Sequence, residues 1–273
     1  MFENLGRMKV KLRVGRIGFP VSMCAATVTA VMLSVAAPVR GESSLLQQAF
    51  AVGEKLDFKV YFEFILGGFA TMAIEEIDTV DSHPCYHIVS TARSTPTVDA
   101  FYRVRDRIET WRDVEGGFSR RYGKFLREGK YRTDKRVFYK PESSLVVLHP
   151  NSTDLPDSFH IEGYVQDVLS AFYEVRTRDL KVGESVWIDV HDIKKRYDLE
   201  VRVLRRERVK TPAGRFDCLV IEPLLKSSGI FRREGNMRIW LTDDRHHIPV
   251  MMKSKLYFGA VYAKLIGYRL GGS

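Results

Sequence analysis

The side chains best suited to chemistry lie near the C-terminal end, in the stretch "WLTDDRHHIPV". Asp243, Asp244, His246 and His247 supply two carboxylates and two imidazoles, the groups that bind metal ions or move protons. Adjacent histidines point to opposite faces of a strand, so they are poorly placed to share one metal ion. Apolar runs flank the acidic pair, and Asp favours turns. We therefore interpret this stretch as a turn between two strands.

A second candidate is "HPCYH", in which His83, Cys85 and His87 would share one face of an extended segment. Pro84 interrupts the segment, and no second cluster of ligands adjoins it. The sequence contains no G-x-S-x-G, H-E-x-x-H or phosphate-loop fingerprint. We therefore predict no catalytic residue, no metal ion and no cofactor, and we favour a protein that is not an enzyme.

The third candidate is a concentration of positive charge in residues 120–136, "RRYGKFLREGKYRTDKR". A second arginine-rich stretch covers residues 201–210. Both stretches could be solvated strand faces. The functional interpretation is a basic rim that receives the phosphate or carboxylate of an anionic lipid. The predicted rim residues are Arg120, Arg121, Lys124, Arg127, Lys130 and Arg132.

The N-terminus has the pattern of a targeting segment. Five basic residues precede an uncharged apolar run at residues 17–38, and small residues follow at positions suited to cleavage after Ala36. We predict a signal peptide at residues 1–36 and a periplasmic protein. The alternative is an uncleaved inner-membrane anchor formed by residues 17–38. Cleavage would lower the formal net charge from +9 to +5, and export argues against a nucleic-acid partner.

Two cysteines remain in the predicted mature chain. Cys85 and Cys218 each lie in a strand-like run, and an oxidising compartment permits a disulfide between them. The alternative is two buried thiols on separate strands. The sequence leaves both possibilities open.

Hydrophobicity alternates with a period of two through most of the chain from residue 54 onward. In "KLDFKVYFEF", Leu56 and Phe58 alternate with charged neighbours, as in a half-buried strand. Apolar residues at helical spacing predict one internal helix at about residues 163–176. We interpret Asp167 and Ser170 as an exposed or cap-like pair; the alternative is an acid that tethers the helix to a strand arginine. Two "VGE" segments, at residues 52–54 and 182–184, indicate either two related halves or a favoured strand-entry turn.

These patterns predict a mainly β protein. We expect an antiparallel, strongly curved, barrel-like sheet of about a dozen strands with the single helix plugging or capping it. The predicted domains are a lead segment at residues 37–53 and one β-rich domain at residues 54–273.

Several stretches resemble the bacterial DUF3108 family of exported envelope proteins, which has no established biochemical function. The stretches are "VGEKLDFKVYFEFILGGFA", "YRVRDRIETW", "LREGKY", "VQDVLSAFYEVR", "TPAGRFDCLVIEP" and "MRIWLTDDRHHIPVMMKSKLYFGAVYAKL". The resemblance covers nearly the whole predicted mature chain. It implies secretion and a single β-rich domain, and it carries no catalytic residues.

Two functional hypotheses follow. The first is a periplasmic protein that binds or carries an anionic amphiphile, a lipid or glycolipid, in a pocket of the barrel, with peripheral membrane contact. The second is a structural or assembly factor that binds another envelope protein. An enzyme is the weakest of the three classes because no polar residues converge in the sequence.

Overall fold

The computed structural model describes residues 49–151, 155–224, 237–256 and 259–272. The predicted signal peptide and the alternative anchor lie outside these residues. The elements of the first half are β1 (Lys55–Phe62), β2 (Ile65–Val80), β3 (His83–Ser94), α1 (Pro96–Asp99), β4 (Arg105–Asp113), β5 (Ser119–Glu128), β6 (Tyr131–Lys140), a 3-10 turn (Pro141–Ser143), β7 (Leu145–His149) and β8 (Asp157–His160). The elements of the second half are α2 (Val168–Arg176), β9 (Ser185–Asp192), β10 (Lys195–Thr211), β11 (Gly214–Leu224), β12 (Met237–Thr242), β13 (Pro249–Leu256) and β14 (Gly259–Arg269).

All fourteen strands in the described part of the chain belong to one antiparallel sheet. Their order is β8-β7-β6-β5-β4-β3-β2-β1-β14-β13-β12-β11-β10-β9, so β1 pairs with β14 at the centre. The sheet is curled and does not close. This confirms the predicted fold class, a strongly curved and mainly β architecture.

A short extended segment lies between two parts of the curled sheet. The Ser119 N–H of β5 donates to the Val165 carbonyl at 3.0 Å. On the other side, the Gln166 N–H donates to the Asp189 carbonyl of β9 at 2.9 Å, and His191 N–H donates back to Gln166 at 2.8 Å. The edge strand β9 therefore has backbone partners along part of its free side, although the sheet stays open.

The predicted helix is present but starts later than the sequence pattern indicates. It was expected at about residues 163–176, and α2 runs from Val168 to Arg176. The N-cap is Asp167, whose backbone is extended and whose carboxylate accepts from the N–H groups of Leu169 and Ser170 at 2.9 Å. These bonds satisfy the first free N–H groups of the helix, so the helix starts directly after Asp167. Asp167 is therefore a helix cap, as one interpretation of the sequence held, but Asp167 and Ser170 are both buried and not exposed, and it is Ser170 that accepts from a strand arginine, Arg112. The structure adds the short helix α1.

The curled sheet has an inner face, which we define as the face that packs against α2. Leu56, Phe58 and Ile74 are fully buried on this face and belong to one apolar cluster with Leu169 and Tyr173 of α2. Their strand neighbours Lys55 and Glu75 are exposed. The period of two in the sequence therefore reflects a sheet with one face against a helix.

The two "VGE" segments begin related halves. The Gly53 N–H donates to the carbonyl of Ile74, and the Gly183 N–H donates in the same way to Val203, at 2.9 and 2.8 Å. A β-bulge follows immediately after Ile74 in β2 and after Val203 in β10. The shared sequence signature thus marks the same turn joined to the same bulged strand.

Further equivalences extend this relationship. At the bulge, Ile74 pairs with Ile88 of β3 and Val203 pairs with Ile221 of β11. Cys85 lies three residues before Ile88, and Cys218 lies three residues before Ile221, so the two cysteines occupy equivalent positions. Trp111 and Trp240 are likewise equivalent, and a register shift follows each. β1–β6 and β9–β14 therefore follow one six-strand plan.

Candidate ligand-binding site

A buried polar junction fixes one end of the inner face. The Asp167 carboxylate accepts hydrogen bonds from the Thr110 hydroxyl of β4 at 2.5 Å and from the Ser119 hydroxyl of β5 at 2.6 Å. Burial raises the pKa of Asp167, although these hydrogen bonds oppose the shift. Every oxygen of this carboxylate has a partner, so the junction positions α2 and leaves no acceptor for a ligand.

Arg112 of β4 strengthens the same junction. Its guanidinium donates to the Gln166 side chain at 2.8 Å and to the Ser170 hydroxyl at 3.2 Å, and it forms a salt bridge with Glu174 of α2. These contacts are buried or nearly so. The helix is therefore tied to β4 and β5 through polar groups, while its other side packs on apolar residues.

Beyond this junction, the inner face of β1–β4 and β14 carries small apolar residues. They enclose part of a pocket of about 190 Å³. The inward-facing side chains among its lining are Val60, Phe62, Ala92, Val104 and Val261, with Gly68 between them and Val98 of α1 at its border. Ser94 also faces this pocket, and its hydroxyl accepts from the Val104 N–H at 2.8 Å. Such a lining suits a hydrocarbon group.

Two lysines face each other on the same inner face, close to this pocket. Lys124 of β5 pairs in register with Lys135 of β6, and Ile108 of β4 is the other neighbour of Lys124. Both lysines are half-buried, and neither forms a salt bridge with any residue in the described ranges. Like charges directly opposite each other destabilise a sheet. An anionic ligand would remove that repulsion.

An acidic pair lies beside the lysines. Burial raises the pKa of Glu128, and the charge of Asp106 and a hydrogen bond with it raise that pKa further, whereas Lys124 lowers it. Asp106 also accepts from the Arg127 N–H at 2.9 Å. The inner face near the pocket thus carries both signs of charge within an otherwise apolar wall.

Two other cavities have polar linings whose groups already have partners. A groove of about 330 Å³ on the outer face contains Thr71, which donates to Asp57 at 2.8 Å, and Arg93, which lies over Phe69. An open depression of about 640 Å³ is lined by the salt bridges Arg206–Asp243 and Arg208–Asp217. The outer groove has a mixed polar and apolar lining and the depression a charged one, whereas the lining of the inner pocket is mainly apolar, so the inner pocket is the better candidate for a hydrocarbon group.

The predicted basic rim is distributed over several surfaces. Arg120 is buried and bonds Asp113 and Glu142 at 2.6 and 2.9 Å. Arg121 lies over the Trp111 and Phe138 rings on the outer face.

The remaining rim residues lie further along the β5–β6 hairpin. Arg127 bonds Asp134 at 2.9 Å. Arg132 donates to the carbonyls of Gly129 and Tyr131 in the turn, where Lys130 is exposed. Only Lys124 of the six faces inward. Lys135, which the rim prediction did not include, is its partner.

The other candidates from the sequence have local structural roles. The Asp244 carboxylate accepts from the N–H groups of His246 and His247 at 2.9 and 3.2 Å, and these residues form the turn between β12 and β13. His87 stacks on Trp111 with ring centroids 4.3 Å apart. Within the described ranges, the structure contains no cluster of three metal-binding side chains.

Cys85 and Cys218 are both free and buried. Burial raises the pKa of Cys85 to about 11 and that of Cys218 to about 12. The thiolate is the reactive form, so neither thiol is activated in the folded protein.

The fold and the pocket define a class: a curled antiparallel sheet with one helix on its inner face and an apolar pocket between its walls. The chain belongs to the DUF3108 family of proteins of unknown function, whose model matches residues 57–266. This confirms the resemblance stated from the sequence. The comparison with curated proteins gave no match.

Several solved structures are similar to this chain, among them the following two. The crystal structure of a β-barrel-like protein of the domain of unknown function DUF1849 from Brucella abortus is 12% identical, with a TM-score of 0.51, and covers 82% of this chain and 99% of that chain. A protein with a YmcC-like fold from Bacteroides fragilis is 12% identical, with a TM-score of 0.30, covering 81% and 97%. The first of these supports the barrel-like fold alone. Among the described residues, no helix is long and apolar enough to cross a membrane.

Proposed function

We propose that this protein is a non-enzymatic binder or carrier of an anionic amphiphile in the cell envelope. The observation that carries the proposal is the position of an unpaired lysine pair, Lys124 and Lys135, on the same inner face as an apolar pocket. The pocket would hold hydrocarbon, and the lysines would hold a phosphate or carboxylate. Export through the N-terminal segment is part of the proposal and rests on the sequence pattern at residues 1–36.

The geometry of the inner face supports this division of roles. Ala92 lines the pocket and pairs with Asp106 of β4. The next residue of β4 that faces inward is Ile108, which pairs with Lys124 of β5, so these two residues form the adjacent inward-facing row across the sheet. The lysines therefore lie two and three strands from Ala92 and one row closer to α2. Neighbouring strands are about 4.8 Å apart, so a single-chain amphiphile can reach both groups.

The test is binding of a fluorescent undecanoic acid that carries a dansyl group. Replacing Lys124 and Lys135 by Gln should weaken binding by about tenfold or more, because charge-assisted hydrogen bonds are lost. The matched control is Lys140→Gln with Lys210→Gln, which removes the same charge from exposed positions.

A second pair of variants tests the pocket. Ala92→Phe fills the apolar space and should abolish probe binding. Ala73→Phe places the same ring on the outer face of β2 and should leave binding unchanged. If the lysine-pair variant, the Ala92→Phe variant and their two controls all bound the probe with the same affinity, the proposal would be contradicted.

The second candidate is an assembly factor for another envelope protein. Edge strand β9 favours it, because Trp187 on this strand is 56% exposed. Native mass spectrometry of protein purified from the envelope separates the two candidates. A co-purified amphiphile that is lost in the Lys124/Lys135 variant supports the carrier, whereas ligand-free protein that rejects the fatty-acid probe favours the assembly factor.

A further inference from the structure

Three connections between strands meet at one end of the curled sheet, which we call the tip. They are the β1–β2 turn (63–64), the β3–β4 connection (95–104) and the β5–β6 turn (129–130). The Thr95 N–H donates to the Gly67 carbonyl at 2.9 Å, and the Gly129 N–H donates to the Arg103 carbonyl at 2.8 Å. The second bond joins two of the connections, and the first joins the β3–β4 connection to β2 just after the β1–β2 turn, so the three connections lie side by side at the tip.

Large apolar side chains project from all three connections or from the strand ends beside them. Phe64 is 88% exposed and Phe101 is 89% exposed. Phe64 lies in a two-residue turn, a position where polar residues and glycine are usual. The exposed set at the tip comprises Phe64, Ile65, Phe101, Tyr102 and Tyr131. Burial of a large apolar side chain away from water is favourable, and the described residues provide no such burial here.

Basic residues accompany these aromatic side chains. Arg103, Lys130 and Arg132 are all exposed in the same connections or beside them. Two acidic residues lie in the same connections: Asp99 forms a salt bridge with Arg105, and the exposed Glu63 accepts from the Ala260 N–H at 2.6 Å and keeps its negative charge, so the basic residues outnumber the acidic ones. The tip therefore presents exposed aromatic rings within a positively charged border.

We infer that the tip docks on an anionic lipid bilayer. Aromatic side chains insert at the level of the headgroups, and lysine or arginine beside them attracts acidic phospholipids. Continuity with the pocket supports the choice of a bilayer, because Phe62, Gly67 and Val98 belong to the pocket lining and lie next to the tip connections. The opening of the pocket would then face the lipid.

This inference goes beyond ligand binding and can fail or succeed separately from it. The experiment measures sedimentation of the full-length protein with vesicles of phosphatidylcholine and phosphatidylglycerol, and with vesicles of phosphatidylcholine alone. We expect binding to the mixed vesicles that weakens with added salt. Phe64→Ser with Phe101→Ser should weaken it by about tenfold or more. The matched control is Trp187→Ser, which removes an exposed aromatic ring from edge strand β9.

A tryptophan placed in the tip reports whether the tip itself, and not another part of the chain, contacts the lipid. Phe64→Trp fluorescence should be quenched by brominated acyl chains beyond the quenching of the wild-type tryptophans. Lys130→Glu should lower vesicle binding without changing the urea midpoint, because Lys130 is an exposed residue of the β5–β6 turn.

The pocket variant Ala92→Phe distinguishes docking from ligand capture. It should lose the fatty-acid probe and keep vesicle binding. Loss of vesicle binding in this variant, unchanged binding in the Phe64/Phe101 variant, or no binding by the wild type would each overturn the inference.

Discussion

Arg176 and Glu54 form a salt bridge in which both side chains are completely buried. Two guanidinium nitrogens lie 2.7 and 2.8 Å from the two carboxylate oxygens, and the same guanidinium donates to the carbonyls of Ala49 and His246. Glu54 belongs to the first "VGE" turn, and Arg176 is the last residue of α2. This pair therefore joins the start of the sheet, the helix and the β12–β13 turn.

Glu54→Gln should lower the free energy of unfolding by about 3–5 kcal/mol, because Arg176 would be left as a buried charge without its counter-ion. Asp217→Asn is the matched control. It removes the carboxylate from an exposed salt bridge with Arg208 and should lower the stability far less than Glu54→Gln, because solvent screens exposed charges. Urea unfolding followed by circular dichroism measures both, and equal losses would show that burial of the pair contributes little.

His191 should make the protein less stable in mild acid. Burial lowers its pKa from 6.5 to about 4, so between these values the unfolded chain binds the proton and the folded protein does not. Stability therefore falls as the pH falls through this window. The loss from about pH 7.5 to about pH 5 is about 2 kcal/mol from this group.

His191→Phe removes the titrating ring, so its urea midpoint should change less between those two pH values. The comparison uses the pH dependence of each protein, because the substitution also changes packing against Tyr139 and Phe159. Parallel pH profiles for the two proteins would show that His191 is not the responsible group.

Cys85 and Cys218 should both be resistant to alkylation in the native protein and reactive after unfolding. Their burial and raised pKa values keep them as protonated thiols. Mass spectrometry of the two cysteine-containing peptides, after iodoacetamide treatment without reductant, measures this. A disulfide-linked peptide from protein purified out of the envelope would instead support the bridge left open by the sequence.

Parts of the candidate site could be predicted from local sequence. The segment "REGKY" contains a two-residue turn at Gly129–Lys130, and Gly129 has φ +55°. A turn of this length fixes the hairpin register, and that register places Lys124 opposite Lys135. Alternation along the strand then puts both lysines on one face. The position of Lys124 opposite Lys135 could therefore have been predicted from the sequence, although the rim prediction was based on charge alone and did not include Lys135.

Other parts depended on long-range contacts. The sequence grouped Arg120, Arg121 and Arg127 by charge, but a bulge at Trp111/Arg112 moves Arg120 out of the regular alternation. Its partner Glu142 comes from the 3-10 turn after β6. The start of α2 was likewise decided by Asp167, whose carboxylate also binds side chains 48 and 57 residues away.

The sequence by itself determined the antiparallel strands, the internal helix and the family, because alternation, turn residues and spacing are local properties of the chain. Only the tertiary structure decided which charged side chains meet a counter-ion and which face the pocket. Arg112, Arg120 and Arg176 form salt bridges with carboxylates on other elements, whereas Lys124 and Lys135 form no salt bridge among the described residues, although Lys124 lies near enough to Glu128 to lower its pKa. The physical reason is that pairing depends on how the sheet curls and where α2 packs, which are properties of the whole fold.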